Sequence, residues 1–135
     1  MASYLYGLGR EAFLAGAISW SGDNIKLLLV DSADYTPAQN TDQYHANVTS
    51  GGIVATSANL ASKTVTLGVA DAADVTLSSV SGDSCEYIII YKDSGSSATS
   101  PLIAKIDDYT GLPVTPNGGN ITIQFPSDSN KIFKL

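Results

Sequence analysis

The sequence is poor in the residues that most often carry chemistry, with one His, one Cys, one Met and one Trp in 135 residues. A single Cys cannot close a disulfide within the chain, and one His with one Cys cannot build a common zinc site. Cys85 lies in an apolar run, which predicts a buried strand residue rather than a reactive thiol. We therefore expect no disulfide, no metal site and no other cofactor.

Charged residues are also scarce, at 15% of the chain, and cations are fewer than anions. Seven Lys and Arg against 13 Asp and Glu give a net charge of −6. A nucleic-acid-binding protein needs a basic face to neutralise phosphates, so we expect no nucleic-acid partner. No apolar stretch approaches the roughly 20 residues that span a bilayer, and no secretory signal is recognisable, so we expect no membrane partner.

No group of residues indicates an enzyme. His45 is the one imidazole available as a general base, and nothing near it in sequence supports a catalytic triad. The two glutamates, Glu11 and Glu86, fall in a predicted helix and a predicted strand, away from any paired acid. Aspartates at strand ends mostly make turn hydrogen bonds, although Asp71 and Asp74 could form a weak surface cation site. We predict a protein without catalytic residues.

The first informative feature of the sequence is an amphipathic segment in residues 1–20. The residues that recur there at helical spacing are Leu5, Leu8, Ala12 and Ala15. This pattern predicts a helix over residues 4–15, with Ser3 as a possible N-cap and its end at Gly16. Such a helix could dock on a partner or cover an open end of the domain, and both interpretations stay open.

Beyond residue 20 the apolar pattern changes to the alternation that is typical of strands. Polar turns rich in Gly, Pro, Asn, Asp and Ser separate the apolar runs. Eight strands are predicted, at residues 25–31, 53–57, 63–69, 74–80, 85–92, 102–107, 119–125 and 131–134. Short strands at this spacing indicate an antiparallel β-sandwich or barrel, jelly-roll-like in character. We predict one mainly β domain over residues 1–135, with a helical segment at 1–20 and a β-domain at 21–135.

Four stretches of the sequence resemble a family of small structural proteins of tailed bacteriophages and prophages. They are residues 9–16 with Ile18 and Trp20, residues 25–32, residues 111–119 and residues 130–135. The resemblance covers nearly the whole chain, and the family carries no enzymatic motif. It implies a virion structural protein, and within the virion a capsid decoration or cement protein. Such a protein is made in the host cytoplasm and lies on the outer surface of the head.

The resemblance also implies protein partners, namely the major capsid protein and further copies of this chain. A domain that binds only the assembled lattice stabilises it by mass action, and repetition over the shell multiplies a modest energy per site. We expect the N-terminal helix and the last residues to lie at or near these contacts. The interface residues predicted in this way are Leu5, Leu8, Phe13, Trp20, Ile132 and Phe133.

Two other functions fit the same sequence. A tail, neck or fibre-associated subunit would be present in a few copies per particle, as the symmetry of a tail requires, rather than in hundreds. A carbohydrate-binding module on the virion surface would instead use exposed aromatic side chains in loops. Its candidate residues are Tyr35, Tyr44 and Tyr109.

Overall fold

A computed structural model of the chain describes residues 3–109, 112–125 and 132–135. These residues form one α-helix, α1 (Gly7–Leu14), and nine strands. The strands are β1 (Tyr4–Leu5), β2 (Ile25–Val30), β3 (Ile53–Thr56), β4 (Val69–Ala70), β5 (Val75–Leu77), β6 (Tyr87–Lys92), β7 (Leu102–Ile106), β8 (Ile121–Ile123) and β9 (Phe133–Lys134). The predicted mainly β fold with one N-terminal helix is confirmed.

The strands are arranged in one large and two small antiparallel sheets. The main sheet has the order β1-β7-β6-β2-β3, and the small sheets pair β4 with β9 and β5 with β8. The ladders formed by the described residues do not close into a ring. Of the two predicted architectures, the structure therefore has that of a small β-sandwich and not that of a barrel.

The central strands β2 and β6 are buried on both faces, which is why their sequences are almost continuously apolar. In β2, Leu27 and Leu29 enter the larger core, whereas Leu28 and Val30 enter a smaller core on the opposite face. The larger core lies between the main sheet and the two small sheets, whose buried residues belong to it. The smaller core lies under loop residues that include Tyr35.

The prediction of a strand over residues 63–69 is mostly wrong. Only Val69–Ala70 pair as a strand, and a 3₁₀ turn at Thr66–Gly68 precedes them. Leu67 has left-handed backbone angles (φ 52°, ψ 37°), which no strand can contain. The other predicted strands are present with shorter ends, apart from residue 131, which lies outside the described residues.

The helix starts later than the predicted range of 4–15, because Tyr4–Leu5 pair with β7 as an edge strand of the main sheet. Ser3 is therefore not an N-cap. Its hydroxyl donates a hydrogen bond to the carboxylate of Asp108 and accepts one from the N–H of Asp107. Tyr4 and Leu5 therefore belong to the main sheet, and α1 follows them.

Two glycines determine where α1 lies and where it ends. Gly9 faces β7 so closely that an added Cβ would sit 2.4 Å from the carbonyl oxygen of Leu102. Gly16 has φ +78° and ends the helix, as predicted, and the Ala17 N–H donates to the Ala12 carbonyl oxygen at 2.8 Å. The helix is thus held against the sheet at backbone contact distance.

Candidate functional site

An open apolar groove lies where α1, the chain around residue 20 and the β4–β9 sheet come together. It encloses a volume of about 150 Å³. Its lining residues are Phe13, Trp20, Val65, Gly68, Val69, Ala70, Phe133 and Leu135. We call these eight residues the aromatic groove.

Three rings form one wall of the aromatic groove. The rings of Trp20 and Phe133 meet edge to face with centroids 5.1 Å apart, and Phe13 lies 6.0 Å from Phe133 on its other side. Trp20 is buried, and its Nε1–H donates to the backbone oxygen of Asp71 at 3.0 Å. A ring held by packing and by a hydrogen bond loses little freedom when a partner binds beside it.

Backbone pairing brings the end of the sequence to this wall. Phe133 is the register partner of Ala70 in the β4–β9 sheet. The Leu135 N–H donates to the carbonyl oxygen of Gly68 at 3.0 Å, and the Ile132 N–H donates to that of Ala70 at 3.1 Å. The groove is therefore built from segments that are remote in sequence.

Among the described residues, two of the exposed large hydrophobic side chains line the aromatic groove, and two others are next in sequence to lining residues. Among residues that the structure describes, the exposed large hydrophobics are Leu67 at 93%, Leu14 at 91%, Leu135 at 59% and Val65 at 52%. Val65 and Leu135 line the groove, while Leu14 and Leu67 are next in sequence to the lining residues Phe13 and Gly68. Single exposed leucines are ordinary, whereas several exposed apolar side chains at or near one groove are a common feature of interaction surfaces.

Leu67 has two features that cost free energy in the isolated chain. Its left-handed backbone is disfavoured for a residue with a Cβ by about 1–2 kcal/mol. Its side chain also remains almost wholly in water. Backbone strain of this kind is often found at functional sites.

Of the six predicted interface residues, the structure brings three together in the aromatic groove, namely Phe13, Trp20 and Phe133. The other three lie elsewhere. Ile132 is a buried member of the larger core, and Leu5 in β1 packs against that core. Leu8 is half-buried and lies about 140° around the helix from Phe13, since each residue turns an α-helix by about 100°.

Sequence reasoning missed Val65 and Leu67 as surface residues, whereas Leu14 and Leu135 lie in the helix and the terminal segment that it placed at or near contacts. A signal was present in the alternation of Val65, Leu67 and Val69, but alternation is also what a strand facing a core shows. Only the left-handed turn at Leu67 reveals that this apolar stretch faces solvent.

The residues weighed for catalysis are not arranged as a reactive site. His45 is half-buried with its ring 4.8 Å from that of Tyr91, and burial lowers the pKa of its imidazole. Cys85 is fully buried, and burial together with the negative charge of Glu86 raises the pKa of its thiol to about 11.

The acidic residues that lie close together in the structure are not the pair that the sequence offered as a cation site. Asp31, Asp34 and Asp83 place carboxylate oxygens within 4.8 Å of one another. Asp71 and Asp74 are not part of that cluster, and Asp74 accepts a hydrogen bond from the N–H of Phe125 at 3.0 Å. Exposed acidic groups are often close together without an ion, so the cluster assigns no cofactor.

The three tyrosines considered for sugar binding do not form an exposed aromatic platform. Tyr35 is buried, and its hydroxyl donates to the carboxylate of Asp42 at 2.7 Å. Tyr44 and Tyr109 are half-buried, and the ring of Tyr109 packs edge to face on Phe125.

The chain matches no protein-family model, and no curated protein is significantly similar to it in sequence. In the part of the chain that the structure describes, every helix is too short or too polar to cross a membrane.

Proposed function

We propose that this chain is a virion structural protein of a tailed bacteriophage that works as a capsid decoration or cement protein. It bridges major capsid subunits on the outer surface of the head and uses the aromatic groove as an assembly surface. The observation that carries the docking role is the cluster of exposed apolar side chains around that groove. The assignment to a phage particle is supported by the sequence resemblance.

The energetics suit an assembly that depends on many weak contacts. Full burial of one Leu or Val side chain contributes about 1.5–3 kcal/mol, so covering the exposed parts of Val65 and Leu135 would offset part of the cost of association. The rings behind them are already packed in place, so little side-chain ordering opposes binding. Repetition over the shell then stabilises the lattice.

The tail, neck or fibre-associated alternative uses the same surface and differs in stoichiometry. A decoration protein follows the symmetry of the shell and accompanies the major capsid protein in comparable copy number. The ratio of the two bands in a gel of purified virions distinguishes the alternatives. A ratio of a few copies per particle would contradict the decoration role and favour the tail or neck.

The carbohydrate-binding alternative is less well supported by the geometry. Sugar binding by aromatic residues needs exposed ring faces, whereas Tyr35 is 4% exposed and is held by hydrogen bonds. The exposed apolar surface lies instead at the aromatic groove, where the side chains are mainly aliphatic at the rim. That composition favours a protein partner.

The proposal is tested by adding the purified chain to phage capsids that lack it. We expect the wild-type chain to bind and Val65→Ser to reduce its occupancy strongly, because a polar group would replace a groove-lining side chain that is 52% exposed. Ala46→Ser, a change of an exposed residue outside the groove, is the matched control and should bind like the wild type. Failure of the wild-type chain to bind any capsid would overturn the proposed function, and full occupancy by Val65→Ser would exclude the groove.

A further inference from the structure

We infer that a second copy of this chain occupies the aromatic groove, in a two-fold arrangement that places Leu67 of each copy in the groove of the other. This inference rests on the proposed function, because it names the partner of the same surface. A pair joined in this way would hold two lattice contacts on one rigid unit, which is what a protein that bridges capsid subunits requires.

The first support is the shape of the patch. A two-fold interface uses the same surface on both copies, so that surface must carry both a projection and a recess. Leu67 is 93% exposed and lies in sequence between Val65 and Gly68, which both line the groove. A cavity of about 150 Å³ accepts a group as large as benzene, and a leucine side chain is smaller. The projection and the recess therefore lie side by side and match in size.

The second support is the charge of the patch. The whole chain has a net charge of −6, so two copies repel one another over most of their surface. The segments that form the groove, residues 7–20, 64–71 and 132–135, carry two basic and two acidic residues and thus a net charge of zero. These residues are Arg10, Lys134, Glu11 and Asp71. The side-chain charges of these segments therefore balance and add nothing to the net repulsion between two copies.

The third support is the backbone at Leu67. Its left-handed conformation directs an almost fully exposed leucine outward before any partner is present. A residue that protrudes before binding needs little backbone reorganisation on binding, which is a property of interface anchor residues.

The test is the association of the full chain measured by sedimentation equilibrium. We expect the wild type to dimerise and Leu67→Asn to raise the dissociation constant at least about tenfold, since loss of an anchor residue costs more than 1.4 kcal/mol, the equivalent of one factor of ten. Asn tolerates the left-handed conformation better than Leu, so this variant should fold. Ser79→Asn is the matched control, because Ser79 also has a positive φ, of 53°, but lies outside the groove.

A second measurement checks the arrangement itself. Proteins carrying Leu67→Cys and Leu135→Cys are mixed and oxidised, and we expect a disulfide between the two different chains. The native Cys85 should not interfere, because it is fully buried. A mixture of Leu67→Cys with Ala46→Cys is the control and should not link.

A wild-type chain that stays monomeric, or a dimer that Leu67→Asn leaves intact, would overturn this inference. If the monomeric wild type still binds capsids, the inference fails and the proposed function stands, with the groove taken by another protein. If the wild type dimerises through Leu67 but binds no capsid, the proposed function fails and the dimer remains.

Discussion

At the scale of the residue, Lys105 departs from the usual behaviour of its type. Its side chain is fully buried in β7, although Lys is almost never fully buried unless it is paired. Its Nζ lies 2.9 Å from the carboxylate of Asp107 and 4.5 and 5.3 Å from the ring centroids of Tyr4 and Tyr87. The carboxylate and the two ring faces together offset the free-energy cost of removing the ammonium group from water.

The environment of Lys105 predicts that removal of its charged side chain will strongly destabilise the folded protein. Lys105→Ala should lower the free energy of unfolding by about 3–5 kcal/mol, because it leaves a buried carboxylate at Asp107 without its partner. Asp107→Asn combined with Lys105→Met removes both charges and should cost less than Lys105→Ala alone. Urea denaturation measures both values, and a double variant that is the less stable of the two would contradict the ion-pair explanation.

At the scale of the element, the position of α1 depends on the absence of a side chain at one residue. Gly9 lies against β7, and this contact sets the distance at which the helix carries Phe13 into the aromatic groove. Helix propensity alone disfavours glycine here, by about 1 kcal/mol relative to Ala. The packing of helix on sheet outweighs that preference, because the backbone of β7 leaves no room for a Cβ.

Gly9→Ala should therefore destabilise the protein despite its higher helix propensity. A Cβ 2.4 Å from the Leu102 oxygen requires the helix to move away from the sheet, with a cost of about 1–3 kcal/mol. Gly51→Ala is the matched control, because a Cβ there meets nothing within 4 Å and its change in stability should be small. Thermal unfolding compares the two, and equal midpoints would show that α1 can shift freely.

At the scale of the whole molecule, charge and apolar surface are separated. The chain carries a net charge of −6, yet the segments around the aromatic groove are neutral and bear the exposed leucines. General repulsion keeps such molecules apart except where an apolar contact opposes it. This separation favours association in one orientation over indiscriminate aggregation.

The effect of salt on the proposed dimer follows from this distribution. Raising the NaCl concentration from about 0.05 to about 0.5 M shortens the screening length and weakens the repulsion between two acidic molecules. The dissociation constant should therefore fall or stay constant, because the contact itself is apolar. Sedimentation equilibrium at both concentrations measures it, and a clear rise would indicate an interface held by ion pairs instead.

Much of the fold was predictable because buried apolar residues recur at regular spacings along the sequence. The apolar runs of β2 and β6 must be covered on both faces, so their place at the centre of a sheet follows from composition alone. The helix end at Gly16 follows from local backbone preference. The start of α1 did not follow, because pairing of Tyr4–Leu5 with β7, about 100 residues away, replaces helix at those residues.

The sequence by itself determined the mainly β class and the helix end, since these depend on local pattern and residue type, and the family resemblance led to Phe13, Trp20 and Phe133 as interface candidates. Only the tertiary structure decided that these three rings share one groove, because the pairing of β4 with β9 joins segments remote in sequence. It also decided that Leu67 faces solvent. An alternating sequence shows only that apolar residues recur every second position. Whether those side chains face the core or the solvent depends on the backbone angles and on which surfaces the rest of the chain covers.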